Sequence, residues 1–391
     1  MDYHFDTVID RHHTHSMKWD VDVDELPMWV ADMDFETAPK VQEAIQKRAQ
    51  HGIYGYEIVP EGWYDAYIQW YDRRHHFPIQ KEWMMFTTGV IPALSSMVRK
   101  LTTPAEKVVV QTPVYMGFFT SIYNNGREIV ENPLRYQDGE YEIDFIDLEE
   151  KLKDPQVALM ILCNPQNPSG KIWNKKDLIR VGELCNRYHV TVISDEIHCD
   201  LTDPGLEYTP FATASDICRE ISIICLSPTK AFNLAGIQTA AVVVWDEYLR
   251  HKVWRGLNTD EVAEPNVFAM DTVIAAYNES EEWLDALRQY LYENKQIFYR
   301  YVREHLPMVQ VVESEATYLL WLDMNQYQIS SEDIAHQIRR ETGLFISQGS
   351  LYKGNGDKFI RVNIACPRTV MMDGLNRLSQ GLKTVERTDQ C

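Results

Sequence analysis

No apolar run in this chain approaches the roughly 20 residues needed to span a bilayer, so a membrane-spanning helix is not expected. Positive charge is scarce as well. Against 58 Asp and Glu stand 38 Lys and Arg, for a net charge of −20. That balance argues against a nucleic-acid or anionic-membrane partner. The seven cysteines include no Cys-x-x-Cys pair, their number is odd, and several lie in apolar runs. They read as reduced thiols of a cytoplasmic protein. The first residues, Met-Asp-Tyr-His-Phe-Asp, lack the basic-then-apolar profile of a secretory leader. Around Arg11-His12-His13-Thr14-His15 no carboxylate or cysteine stands at a spacing that would close a zinc site. A polar surface segment is expected there, and no metal. Internal repeats and low-complexity linkers are also missing.

What is present is ordinary in bulk: 391 residues, 45% hydrophobic and 25% charged, enough for two domains and a large buried core. Short apolar runs alternate with amphipathic segments. Strands are predicted at Trp83–Thr87, Lys107–Val110, Arg127–Val130, Val157–Cys163, Val190–Ser194, Ile221–Leu226 and Ala240–Trp245. Helices are predicted at Ala38–Gln50, Gly62–Arg73, from Gly89 to Leu101, Asp144–Leu152 and Lys175–Tyr188. Alternation of this kind implies an α/β fold, a mostly parallel sheet covered on both faces. From Glu264 the chain reads as helical. Trp283–Leu306 is one long helix of the kind that joins a large domain to a small one. Strands at Thr317–Leu322 and Phe359–Ile364, with helices at Ser331–Glu341 and Thr369–Lys383, suit a small α+β domain. The expected division is residues 46–282 as the large domain, and 1–45 with 283–391 as the small domain plus an N-terminal arm.

In such sheets ligands bind beyond the carboxyl ends of the strands. Gly89, Tyr115, Asn167, Asp195 and Lys230 all follow predicted strand ends. Lys230 lies in Ser227-Pro228-Thr229-Lys230, just past a buried strand. Desolvation there favours the neutral, nucleophilic amine, the form a Schiff-base lysine requires. Ser227 and Thr229 offer hydroxyls suited to a phosphate. Thr88-Gly89-Val90-Ile91 joins a strand to a helix start, where free N–H groups and the helix dipole favour an anion. It is not a Walker loop, because no Gly-Lys-Ser/Thr follows. The loop Trp29-Val30-Ala31-Asp32-Met33-Asp34-Phe35 either lines a substrate entrance or packs the arm.

Taken in order, these landmarks resemble the fold-type I pyridoxal 5'-phosphate (PLP) enzymes, the aspartate aminotransferase-like superfamily. They are the Gly89 turn, Tyr115, Asn-Pro-x-Asn-Pro-x-Gly at 164–170, Ser-Asp-Glu-Ile at 194–197, Ser-x-x-Lys at 227–230, and Arg361. The resemblance covers nearly the whole chain. It implies that fold, with a mostly parallel seven-stranded sheet in the large domain, and PLP as cofactor. It further implies roles. Lys230 would carry the cofactor and then remove the Cα proton. Asp195 would pair with the pyridinium nitrogen, Asn167 would donate to the ring's phenolic oxygen, and Tyr115 would stack on the ring. Val90, Ile91, Ser227 and Thr229 would hold the phosphate. Arg361 would clamp the substrate carboxylate. Tyr56 would reach the phosphate of a neighbouring subunit, making the enzyme a homodimer.

Two departures refine the resemblance. Gly236-Ile237-Gln238 stands where aminotransferases usually have Gly-x-Arg, and His198 follows Asp-Glu-Ile where many have an aromatic residue. With Leu-Pro-Met-Trp-Val-Ala-Asp-Met-Asp-Phe at 26–35, Lys-Ala-Phe-Asn-Leu-Ala-Gly at 230–236 and Ala-Thr-Tyr-Leu-Leu-Trp-Leu-Asp at 316–323, the chain is similar to the cystathionine β-lyase branch. That branch includes bacterial C–S lyases and maltose-regulon modulators. The resemblance implies α,β-elimination from L-cystathionine or a cysteine S-conjugate, with His198 at the cofactor and Trp29 at the substrate. An aminotransferase on the same scaffold, or a regulatory protein of the same branch, is the alternative.

Overall fold

The computed structural model describes residues 3–389. Seven strands form the large sheet: β1 Met84–Thr87, β2 Lys107–Thr112, β3 Glu128–Pro133, β4 Val157–Cys163, β5 Thr191–Asp195, β6 Ser222–Leu226 and β7 Ala240–Val244. Their order is β1-β7-β6-β5-β4-β2-β3. Only β7 runs against its neighbours, pairing antiparallel with β1 and β6. The fold is thus the mostly parallel α/β arrangement expected. β5 is buried along four of its five residues, and β6 and β7 are buried throughout. This is the continuous burial of strands covered on both faces, and it explains why they read as unbroken apolar runs.

The second sheet has four strands: β8 Gln310–Val311, β9 Leu319–Asp323, β10 Ser347–Gln348 and β11 Phe359–Asn363, in the order β8-β9-β11-β10. The long helix, Glu281–His305, leads into it. Pro39–His51 crosses residue 45, so the expected domain boundary falls inside a helix. The amphipathic helix Glu247–Thr259 is not among the predicted elements. It buries only Val253, Gly256 and Leu257, which leaves a faint apolar period. A small hairpin, Arg135–Gln137 with Glu140–Glu142, is also absent from the sequence reading. Of its six residues only Tyr136 and Tyr141 lie off the exposed surface.

The N-terminal arm packs between the two sheets. Leu26–Pro27 pairs in parallel with Leu344–Phe345. Asn233 in turn binds the Met33 and Phe35 carbonyls and the Met33 N–H. The Arg11–His15 segment is not uniformly a polar surface. His13, Thr14 and His15 are exposed, but Arg11 is half-buried and paired with Asp32 and Asp34 at 2.9 and 2.6 Å. Lys18, fully buried, completes the cluster at 2.6 Å from Asp34. A buried carboxylate beside a half-buried one needs such partners, since uncompensated burial of charge is costly. No helix among the described residues is long and apolar enough to cross a membrane.

Candidate active site

Five polar motifs converge at the carboxyl ends of β1, β2, β4, β5 and β6, as ligand groups do in open α/β sheets. Asp195 is the last residue of β5 and is buried. Its Oδ1 accepts from the Ile197 N–H at 3.2 Å. Burial raises its pKa to about 6, and the nearby Lys230 charge only partly offsets this. Lys230 follows β6 by four residues. Burial lowers its pKa to about 8, helped by the Arg361 guanidinium and opposed by Asp32 and Asp195. Its Nζ donates to the Ala31 carbonyl at 2.7 Å. The same carbonyl accepts from the Tyr318 hydroxyl at 3.0 Å. The arm therefore closes one side of the site with its backbone, a contribution that side-chain motifs do not advertise.

Arg361 comes from β11, in the other sheet. Its Nη1 donates to Asn167 Oδ1 at 3.1 Å and its Nη2 to the Trp29 carbonyl at 2.8 Å. Its Nε is buried without a hydrogen-bond partner. The two asparagines of the 164–170 motif have different work. Asn164 binds the Thr209 carbonyl and the Trp173 N–H, fixing the loop. Asn167 alone faces Arg361. Gly170, at φ +73°, lets the loop meet the second sheet: a Cβ there would lie 2.1 Å from Ser314 Oγ. Asn363, two residues beyond Arg361 and on the same face of β11, binds the Val30 and Asp32 carbonyls, both at 2.6 Å. The period-2 rule could have linked it to Arg361.

Tyr115 precedes the short helix Met116–Tyr123 and is half-buried, and desolvation raises its pKa. Gly117 makes room for its ring. A Cβ at 117 would sit 2.4 Å from Tyr115 Cε1. His198 is buried, and its Nδ1 has no hydrogen-bond partner. Burial lowers its pKa to about 3, helped by the Lys230 and Arg361 charges, so the ring is neutral. Trp29 stacks on Phe345 at 4.8 Å and presents its carbonyl, not its ring, to Arg361. Tyr56 stands apart. It is fully exposed, in an irregular stretch with exposed Ile53, Tyr54 and Ile58.

Ser227 and Thr229 hydroxyls lie 2.8 Å apart, and Ser227 Oγ also donates to the Thr239 carbonyl at 2.7 Å. The adjoining helix, Val90–Leu101, begins at Gly89 with no side-chain cap and no acidic residue in its first turn. The uncapped start leaves the first-turn N–H groups, Val90 and Ile91 included, for an anion. Gln238, exposed and at φ +56°, brings no cation to this cradle.

These features fit PLP. The open helix start and two hydroxyls suit its phosphate. A buried carboxylate whose only hydrogen-bond partner is backbone suits a cationic ring nitrogen. Lys230 lies near enough to feel both Asp195 and Arg361, where an amine can meet both cofactor and substrate.

Residues 25–378 match the family model described as aminotransferase class I and II. Over 384 residues the chain is 40% identical to cystathionine beta-lyase PatB of Bacillus subtilis (strain 168), spanning 97% of this chain and 99% of that one. It is similar to cystalysin from Treponema denticola, whose structure contains a PLP cofactor, with a TM-score of 0.95 and 30% identity. That match covers 98% of this chain and all of the other. A PLP-bound C–S lyase from Staphylococcus hominis matches at a TM-score of 0.91 and 32% identity over 98% of each chain. The family match over residues 25–378 and the 40% identity together show that the chain belongs to the aminotransferase class I and II family.

Proposed function

We propose that the protein is a PLP-dependent C–S β-lyase acting on L-cystathionine or a cysteine S-conjugate. The overall reaction breaks Cα–H and Cβ–S, consumes one water, and yields a thiol, pyruvate and ammonia. The observation that carries this reading is the meeting of Lys230, its pKa lowered to about 8, with the Arg361–Asn167 pair in one site. The likeness to named C–S lyases supports it.

PLP, when bound, supplies the electron withdrawal that acidifies the Cα–H of an attached amino acid. The chain's own groups do the rest. Arg361, already oriented by Asn167 and the Trp29 carbonyl, binds the α-carboxylate through its fork. That fixes which Cα bond faces Lys230. The Lys230 amine, released from the Ala31 carbonyl, takes the Cα proton. Asp195 would pair by charge with the ring nitrogen and favour its protonated form. The Val90 and Ile91 N–H groups with Ser227 and Thr229 would hold the phosphate, Tyr115 would lie against the ring, and neutral His198 would stand beside the cofactor. The arm, with Trp29, walls the substrate side and keeps water out.

Two further readings belong here. The six described cysteines are free and buried, which suits a reducing compartment, so we place the protein in the cytoplasm. Exposed Ile53, Tyr54, Tyr56 and Ile58 form an apolar stretch suited to burial in a homodimer, with Tyr56 reaching the neighbouring site. Light scattering that shows only monomer at micromolar concentration would remove this reading.

The test is a product assay on the yellow, PLP-loaded protein with L-cystathionine and no keto acid. Equal, continuing release of pyruvate and thiol is expected, and Lys230→Ala should abolish it. Activity that appears only on adding a keto acid would replace the lyase with an aminotransferase.

A further inference from the structure

Behind the loop that carries Asp195 and His198, the chain turns through Cys199–Leu201. There it meets His75, the last residue of helix Glu61–His75. Ligand atoms of His75, Cys199 and Asp200 all lie within 4.8 Å of one another. His75 Nε2 is 2.7 Å from Asp200 Oδ1, and Trp70 Nε1 donates to that same oxygen at 3.0 Å. Asp200 is buried, yet its second oxygen, Oδ2, has no hydrogen-bond partner. A buried carboxylate oxygen left unpaired is costly and calls for a partner. The same three residues line a cavity of about 360 Å³, so a small ion has a way in.

We infer that His75, Cys199 and Asp200 form a binding site for a thiophilic divalent cation of the zinc class. The donor set is nitrogen, sulfur and oxygen, a mixture such an ion accepts. A tetrahedral centre with bonds of about 2.0–2.3 Å spaces its donors roughly 3–4 Å apart, so small side-chain shifts suffice. The cavity leaves the fourth position to water. Trp70 holds Asp200 from behind, as an outer-shell donor does in metal sites. Three arginines line the cavity and share two carboxylates, and the Arg74 charge also acts on Asp200. Arg73 and Arg74 pair with Glu281 at 2.9 Å, Arg74 also with Asp285 at 2.9 Å, and Arg288 with Asp285 at 3.2 Å. Burial keeps the Cys199 thiol protonated in the free chain. Binding the ion displaces that proton to solvent and leaves the thiolate on the metal.

Such an ion would fasten the end of one helix to the turn directly after His198, stiffening the catalytic loop from outside the active site. The sequence hides it, because His75 stands far along the chain from Cys199 and Asp200 and none of the usual ligand spacings appears.

The experiment is titration of chelator-washed holoenzyme with Co2+, read as a difference spectrum against the PLP-loaded protein. One equivalent should produce a thiolate-to-cobalt charge-transfer band, which Zn2+ then displaces. Cys199→Ser should abolish the band. His75→Gln, a change at a helix end, should weaken binding at least about tenfold, as should Asp200→Asn. Far-UV circular dichroism and the cofactor spectrum check that each variant is folded. No band in the wild type at one equivalent would overturn the site. So would a band that persists in Cys199→Ser, or affinity unchanged in folded His75→Gln. Activity is not the readout, so failure of the lyase reading would leave this result standing on its own.

Discussion

Arg361 Nη1 and Asn167 Oδ1 lie 3.1 Å apart and join the two sheets across the site. The guanidinium comes from the small sheet, and the amide from the loop after β4. Each fixes the other, and the unpaired Nε leaves part of the fork for a ligand. Arg361→Lys keeps the charge but loses the fork. A lost charge-assisted hydrogen bond is worth about 1.5–3 kcal/mol. We therefore expect kcat/KM for the sulfur amino acid to fall about 10- to 150-fold, with much of the loss in KM. Steady-state pyruvate release measures it, and a change below threefold would contradict the carboxylate role.

Lys230 should set the pH dependence of cofactor uptake by the cofactor-free chain. Its pKa is lowered from the ordinary 10.5 to about 8, so the reactive neutral form grows as pH rises through 8. The neutral fraction goes from about one tenth at pH 7 to about nine tenths at pH 9. The rate of yellow-form appearance should rise roughly tenfold over that span and then level off. A rate still climbing steeply above pH 9.5 would show an ordinary lysine.

His198 and Asp195 act on acid stability with opposite signs. His198 has a pKa of about 3 in the fold against 6.5 ordinarily. The unfolded chain takes up a proton first, so this contribution is full above about 6.5 and is lost as pH falls toward 3. Asp195, raised to about 6, favours the folded chain as pH falls from 6 to 4. In the cofactor-free protein the two largely cancel in that window. His198→Phe removes one of them. Its Tm relative to the wild type should rise steadily as pH drops from 6.5 to 3, whatever the offset at pH 7.5. A constant difference in Tm would sink the argument.

Gly117→Ala should move the Tyr115 ring, because the added Cβ would lie 2.4 Å from Tyr115 Cε1 and 3.0 Å from Ile91 Cδ1. Ala otherwise suits a helix better than Gly, by up to about 1 kcal/mol. The expected signature is thus a folded protein with kcat down about tenfold and a shifted cofactor absorbance. Unchanged kcat and spectrum would mean the ring position does not matter.

Much of this site was legible because the sheet is covered on both faces. Continuous burial writes strands as apolar runs, and the polar residues that interrupt them mark the strand ends. That places Lys230, Asp195, Asn167 and Tyr115 at strand ends; the roles given to them came from the family resemblance. What was hidden works through backbone or through partners distant in sequence. The Ala31 carbonyl that holds Lys230 has no side-chain signature. Arg11 looked like part of a histidine-rich surface, because its partners Asp32 and Asp34 lie more than twenty residues away. Helix Glu247–Thr259 stayed invisible because it hides only one narrow strip.

The helix that starts at Gly89 without a side-chain cap also bears on how the chain survives when vitamin B6 is short. A side chain could have satisfied those N–H groups permanently; an anion taking its place there would be a dissociable partner. A ligand held only by the native chain, at a hundred times its dissociation constant, adds about 2.7 kcal/mol to stability. With the cofactor phosphate as that partner, the melting temperature of this protein would double as a gauge of cofactor supply. In a starved cell, the cofactor-free copies would be the first to meet the proteases.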